Sequence, residues 1–195
     1  MVRVASGLVV LVFSVVAMAQ TDGAQQNGTP AAQPAGGAKP AEAAPAAPTI
    51  EGKYRYVGGD KEQKAAEEAI EKVVQQMAFI KRPIARSKLK TRTKKASAWT
   101  FTIAGGTIKS NAEGIMSWES PASGAAAATK TSQGDDCKLT QKLSGNRLTM
   151  LFVTEDGSRE NDFTLADDGV TLTNAVTIKS TQLPDAIRFT ETYKK

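Results

Sequence analysis

The chain is expected to fold as a mainly β protein: an antiparallel up-and-down β-barrel with one or two helices inserted after the first strand. Three observations lead there. From residue 98 onward, apolar and polar residues alternate with period two, and turn residues recur roughly every 8–14 positions. A single stretch of helical periodicity lies ahead of that region, and one alternating segment lies ahead of the helix. A sheet of so many strands tends to close into a barrel or split into a sandwich, which manages its edges. An open sheet or sandwich with one packed helix is the alternative.

The first strand is read over 50–57. Ile50, Gly52, Tyr54 and Tyr56 share one face, Glu51, Lys53 and Arg55 the other, and Gly58 and Gly59 end it. A helix follows, with Asp60 as cap and Gln63 three residues later as in a capping box. Ala66, Ala69, Ile70, Val73, Val74, Met77 and Ile80 recur at helical spacing, with Lys, Glu and Gln between them. That stripe is read as core packing rather than a membrane-binding face, because its polar side mixes Glu with Lys. Pro83 ends or kinks the helix. Residues 84–90 fit a short helix or a strand.

Trp99, Phe101 and Ile103 then alternate with Ala98, Thr100 and Thr102 before a Gly105, Gly106 turn. Shorter strands are expected at Ile108 and over 115–118, and a loop of small residues over 121–129. A regular meander follows. Leu139, Gln141 and Leu143 share a face, then Leu148, Met150 and Phe152, then Phe163 and Leu165. Leu172, Val176 and Ile178 come next, and Ile187, Phe189 and Tyr193 last. Turns at 144–146, 156–157, 168–169 and 183–185 divide them.

Composition narrows the chemistry. Among 195 residues there are no His and one Cys, with 25 basic against 20 acidic side chains, a formal charge of +5. Without His there is no Ser-His-Asp or Cys-His couple and no imidazole ligand. One Cys excludes an intrachain disulfide framework and a multi-Cys zinc site. No cofactor motif, phosphate loop or nucleophile elbow occurs, so no catalytic residue, metal ligand or cofactor is assigned.

The N-terminal part reads as targeting and spacer. Residues 1–19 fit a signal peptide: Arg3, an apolar run over 8–18 broken only by Ser14, then Ala17, Met18 and Ala19 as a small-x-small cleavage site. That run is short of the roughly 20 residues a bilayer-spanning helix needs. An exported protein, periplasmic or secreted, is expected, with no transmembrane segment after cleavage. Residues 20–49 read as a disordered linker: 23 of the 30 are Ala, Pro, Gly or Gln, and no large apolar side chain offsets the entropy of ordering. The folded domain is placed at 50–195.

One strand, then helices, then about nine antiparallel strands resembles the calycin group, and most nearly its fatty-acid-binding family. In that layout a helical lid joins the first two strands of a ten-stranded barrel. Gly52, Lys53 and Tyr54 stand where the group carries Gly-x-Trp, with Tyr in the place of Trp. Arg188 is the one candidate for the last-strand Arg that packs over that aromatic. Arg188, Phe189 and Thr190 fall where the fatty-acid-binding family places Arg-x-Tyr, without the Tyr. The resemblance implies a carrier of apolar or amphipathic, lipid-like small molecules. Arg188 would then be a cap over Tyr54 or a polar anchor in the pocket.

Pocket-lining candidates are the strand aromatics Tyr54, Tyr56, Trp99, Phe101, Trp118, Phe152 and Phe189, each with core packing as its plainer role. The strongest charge feature is 81–95, with eight basic residues and no acid. Arg86, Lys88, Lys90, Arg92 and Lys94 share a parity and would stand in one row on a strand. They are read as a solvated face or protected edge, as a patch for an anionic surface or polymer, or as a grip on a ligand's anionic head at the barrel mouth. Nucleic acid is not expected, because no aromatic interrupts the run to stack a base. Asp135, Asp136 and Asp167, Asp168 are read as turn chemistry, and Cys137 as an inert thiol. The function expected is non-enzymatic binding of a lipid-like molecule; the alternative is a structural or adhesive envelope protein contacting an anionic surface through 81–95.

Overall fold

A computed structural model describes residues 49–195. The signal peptide expected over 1–19, and all but Thr49 of the linker expected over 20–49, lie outside the described residues. Among the described residues, no helix is long and apolar enough to cross a membrane.

Ten strands and two helices follow one another: β1 (Gly52–Tyr56), α1 (Gly59–Val74), a short 3₁₀ turn (Phe79–Lys81), α2 (Arg82–Arg92), β2 (Ala98–Ala104), β3 (Thr107–Ala112), β4 (Met116–Pro121), β5 (Ala127–Lys130), β6 (Asp136–Ser144), β7 (Arg147–Val153), β8 (Gly157–Leu165), β9 (Thr171–Ser180) and β10 (Ile187–Lys194). All pairings are antiparallel, in the order β4-β3-β2-β1-β10-β9-β8-β7-β6-β5. β1 therefore bridges β2 and β10, and the sheet wraps until its two ends meet. This is the ten-stranded barrel, helices between first and second strands, that the resemblance implies.

The ends meet without a ladder. Instead, Trp118 Nε1 on β4 donates to the Lys130 carbonyl on β5 at 2.9 Å. Gln141 Nε2 on β6 donates to the Ile108 carbonyl on β3 at 3.0 Å, and a single bridge joins Ser123 to Lys142. Side chains thus close what backbone pairing leaves open.

Alternation governs burial throughout. Trp99 and Phe101 are buried on β2, Leu148, Met150 and Phe152 on β7, and Leu172, Asn174, Val176 and Ile178 on β9. Gly105 (φ 56°) and Gly106 (φ 76°) make the tight β2–β3 turn, a left-handed pair that suits a two-residue hairpin.

The helical insertion departs from expectation in three ways. Gly58, not Asp60, precedes α1, and no side chain caps it. Glu62 leaves the first turn to accept from the Thr192 backbone N–H (2.8 Å) and hydroxyl (2.6 Å), pinning α1 to β10. The helix ends at Val74, Met77 beyond it still packs against the core, and Ile80 is exposed beside Phe79. Pro83 stands in the first turn of α2, where its missing N–H costs nothing, so it opens a helix rather than ending one. Residues 84–90 are thereby helical. The loop expected over 121–129 is also corrected: Pro121 closes β4, and β5 begins at Ala127. Alanines provide no period-two signal, which is why that short edge strand is silent in the sequence.

Two apolar clusters result. One fills the barrel around Tyr54, Trp99, Phe101, Leu148, Phe163, Leu165 and Tyr193. The other packs Val73, Val74 and Leu89 of the helices against Val176, Ile178, Ile187 and Phe189.

Candidate functional site

Register sorts the interior into levels along the barrel. At one level Phe152, Arg159, Ile178 and Ile187 are paired neighbours on β7 to β10; at the next, Met150, Asn161, Val176 and Phe189. Below come Leu148, Phe163, Asn174 and Glu191, and below these Leu165, Leu172 and Tyr193. Successive levels are two residues apart, about 6.6 Å along a strand.

A cavity of about 590 Å³ opens at the upper levels, between α2 and the turns that follow β3, β5, β7 and β9. Trp99, Trp118 and Phe152 line it from inside, each under 8% exposed. Their rings pack on one another: Trp99 and Trp118 lie stacked at 6.2 Å between centroids, and Phe152 stands edge-on to Trp118 at 5.2 Å. They form an aromatic shelf. Above it, Lys88, Arg92, Lys94, Arg159 and Lys179 line the cavity, against Asp135 and Asp156.

Arg159 is the interior member. Its Nε donates to Asn161 Oδ1 at 3.1 Å, and its Nη1 donates to the Arg92 carbonyl of α2 at 2.7 Å. Burial lowers its pKa, and the nearby Glu191 and Tyr193 work in the opposite direction. A guanidinium keeps its charge even so. Among the described residues no carboxylate lies within ion-pair distance of it. Glu191 sits two levels deeper and is 5% exposed. It accepts from Asn174 Nδ2 at 3.0 Å and from the Tyr193 hydroxyl at 2.8 Å, and burial with that neighbouring carboxylate holds the Tyr193 hydroxyl protonated far above its ordinary range.

Of the aromatics singled out in the sequence, Trp99, Trp118 and Phe152 face the cavity. Tyr54, Tyr56, Phe101 and Phe189 do not line it. Tyr54 is fully buried and its hydroxyl is raised to about 12 by desolvation; Phe101 stacks on Trp99. Tyr56 stands edge-on to Tyr193, and Phe189 belongs to the core beneath the helices. Arg188 is exposed. It has the opposite parity to the buried Ile187 and Phe189, so it points away from both pocket and Tyr54; the cation over the Tyr54 ring is Lys195, at 5.3 Å.

The basic segment forms no row, because a helix distributes alternate positions around its circumference. Lys88 and Arg92, one turn apart, line the cavity with Lys94. Arg86 instead binds Glu71 of α1 through Nε at 2.8 Å, and Lys90 is exposed without lining the cavity. Arg92 also pairs with Asp135 at 3.4 Å across the mouth. Cys137 is buried, and burial followed by Asp136 pushes its thiol up. Among the described residues no cluster of acidic or sulfur ligands gathers to hold a metal ion.

Sequence reading missed Arg159, Asn161, Asn174 and Glu191. The signal was parity: Arg159 and Asn161 share it with Phe163 and Leu165, and Glu191 shares it with Phe189 and Tyr193.

No family model and no curated protein matches the chain. Several solved structures do. A "REP1-NXSQ fatty acid transporter" is 15% identical, with 75% of this chain and 95% of that chain covered and a TM-score of 0.47. A fatty acid-binding protein from the brain of Drosophila melanogaster is 16% identical, covering 74% and 97%, with a TM-score of 0.46. A zebrafish ileal bile acid-binding protein, solved with cholic acid, is 13% identical, covering 74% and 97%, with a TM-score of 0.45.

Proposed function

We propose that this protein is a non-enzymatic carrier of an amphipathic small molecule, its apolar body on the aromatic shelf and an acidic head among the cations at the mouth. The observation that carries this reading is the interior cavity of about 590 Å³, whose wall passes from Trp99, Trp118 and Phe152 to Arg159. An aromatic wall gains from covering apolar surface, and a half-buried cation without a carboxylate partner gains from an incoming anion. Concave sites of 300–1,000 Å³ with a few placed polar groups are the usual home of such ligands.

The test uses the full chain with anilinonaphthalene sulfonate, whose fluorescence rises in an apolar site. The probe is expected to bind and to be displaced by palmitate. Arg159→Gln removes a charge-assisted contact of about 1.5–3 kcal/mol and should weaken that displacement by about 10- to 150-fold. Absence of probe binding, or a palmitate affinity indifferent to Arg159, would overturn the reading.

Export belongs to the same proposal and is supported by the apolar run over 8–18 and the Ala17, Ala19 pair. N-terminal sequencing of exported material should begin at Gln20; retained Met1 would refute cleavage.

A further inference from the structure

We propose that the head group this cavity selects is a dianion, so that the ligand is a phosphorylated amphiphile rather than a simple carboxylic acid. This rests on the carrier reading and concerns the same cavity. The cations stand in two adjoining tiers. Arg159 forms the inner one, inside the barrel wall; Lys88, Arg92 and Lys94 form the outer one, on and after α2. Arg159 is tied to the helix that carries the outer tier, since its Nη1 donates to the Arg92 backbone carbonyl at 2.7 Å. Lys88 lies one helical turn before Arg92 on the same face, and both line the cavity together with Arg159.

Charge and donor inventory decide between heads. With Lys179 included, five basic lining side chains face two acidic ones, which leaves three positive charges in excess. A guanidinium has five N–H donors, and those of Arg159 spend two on protein acceptors. In the outer tier Lys94 Nζ donates to the Gly114 carbonyl at 3.5 Å and Arg92 pairs with Asp135 at 3.4 Å, while Lys88 has no acceptor among the described residues. A carboxylate brings one charge and two oxygens, enough for one fork. A phosphate monoester brings up to two charges and three terminal oxygens, enough to accept from Arg159 and from the outer tier together.

The test compares dodecyl phosphate with dodecyl sulfate, two tetrahedral heads on one chain, below their micellar concentrations, by displacement of anilinonaphthalene sulfonate from the full chain. At pH 8 the phosphate is a dianion and the sulfate a monoanion. The phosphate is expected to bind at least about tenfold more tightly, since each extra charge-assisted contact is worth about that much. At pH 5, below the second phosphate ionisation near pH 6, both are monoanions and the margin should close. The double variant Lys88→Gln, Lys94→Gln should also close it at pH 8, whereas Lys90→Gln, which removes the same kind of charge from the same helix outside the cavity, should leave it intact. Lys88, Lys90 and Lys94 are all exposed, so these substitutions leave the core untouched. Equal affinities at pH 8, or a margin lost equally in the Lys90 variant, would overturn the dianion assignment while leaving the carrier reading standing. Displacement by inorganic phosphate as effective as by dodecyl phosphate would overturn the amphiphile. Failure of every alkyl ligand to displace the probe would overturn the carrier reading itself.

Discussion

The two ends of the barrel are made from the same strands with the same alternation, yet they are finished differently. At the lower levels the interior is stopped by its own side chains. Phe163 stands edge-on to both Trp99 and Phe101 at 5.0 Å, and Leu148, Leu165, Leu172 and Tyr193 are fully buried around it. At the upper levels the roof is borrowed: Val73, Val74 and Leu89 of the helices cover Ile178, Ile187 and Phe189. A wall closed by its own side chains is a core; a wall closed by an inserted segment leaves room between roof and shelf. The contrast shows that the open space depends on the insertion as well as on the strand pattern.

That contrast can be broken most severely at Phe163. Phe163→Ala removes the ring that locks the lower core and should cost about 3–5 kcal/mol, read from chemical denaturation. A loss under about 1 kcal/mol would mean the lower end is not close-packed. Next is Tyr193→Phe, which strips one of two donors from the buried Glu191 and should cost about 1–3 kcal/mol while leaving probe binding at the mouth unchanged.

A smaller effect separates the roof. Glu71 is held down to about 2, chiefly by its bond from Arg86. Its folded pKa lies below its unfolded value, so the contribution is complete above the ordinary carboxylate range and is lost as pH falls through about 2. Carboxyl NMR titration should show Glu71 ionised at pH 3 in the wild type and titrating near its ordinary value in Arg86→Gln. The least effect belongs to the exposed tip between the helices, where Phe79→Ser should change stability by under about 0.5 kcal/mol.

How far the sequence discloses all this depends on what each residue signals. Strands β2, β7, β9 and β10 are legible because Trp99, Phe101, Leu148, Met150, Phe152, Val176 and Phe189 alternate with polar residues. The helices are half legible: the stripe from Ala66 to Val74 marks α1, but Pro83 looks like a terminator until one sees a second helix start there. β5 is hidden, since an Ala-rich edge has no apolar rhythm. The site is legible in its shelf and in part of its rim. Its inner cation is hidden from apolar parity, because Arg159 occupies an inward position without being apolar. The same rule, applied to polar residues, rejects Arg188 and selects Arg159. Which aromatics face open space and which are packed cannot be read from parity at all, because it depends on where the roof lies.

The meeting of β4 and β5 has a consequence for how copies of this chain behave toward each other. An open sheet invites another chain to add a strand to its free margin, the usual beginning of fibrils. Here both margins are brief, one ends in Pro121, and they face each other across contacts such as Trp118 to Lys130. A would-be extra strand finds two short margins held against each other by side chains, so concentrated solutions should resist polymerisation through this route.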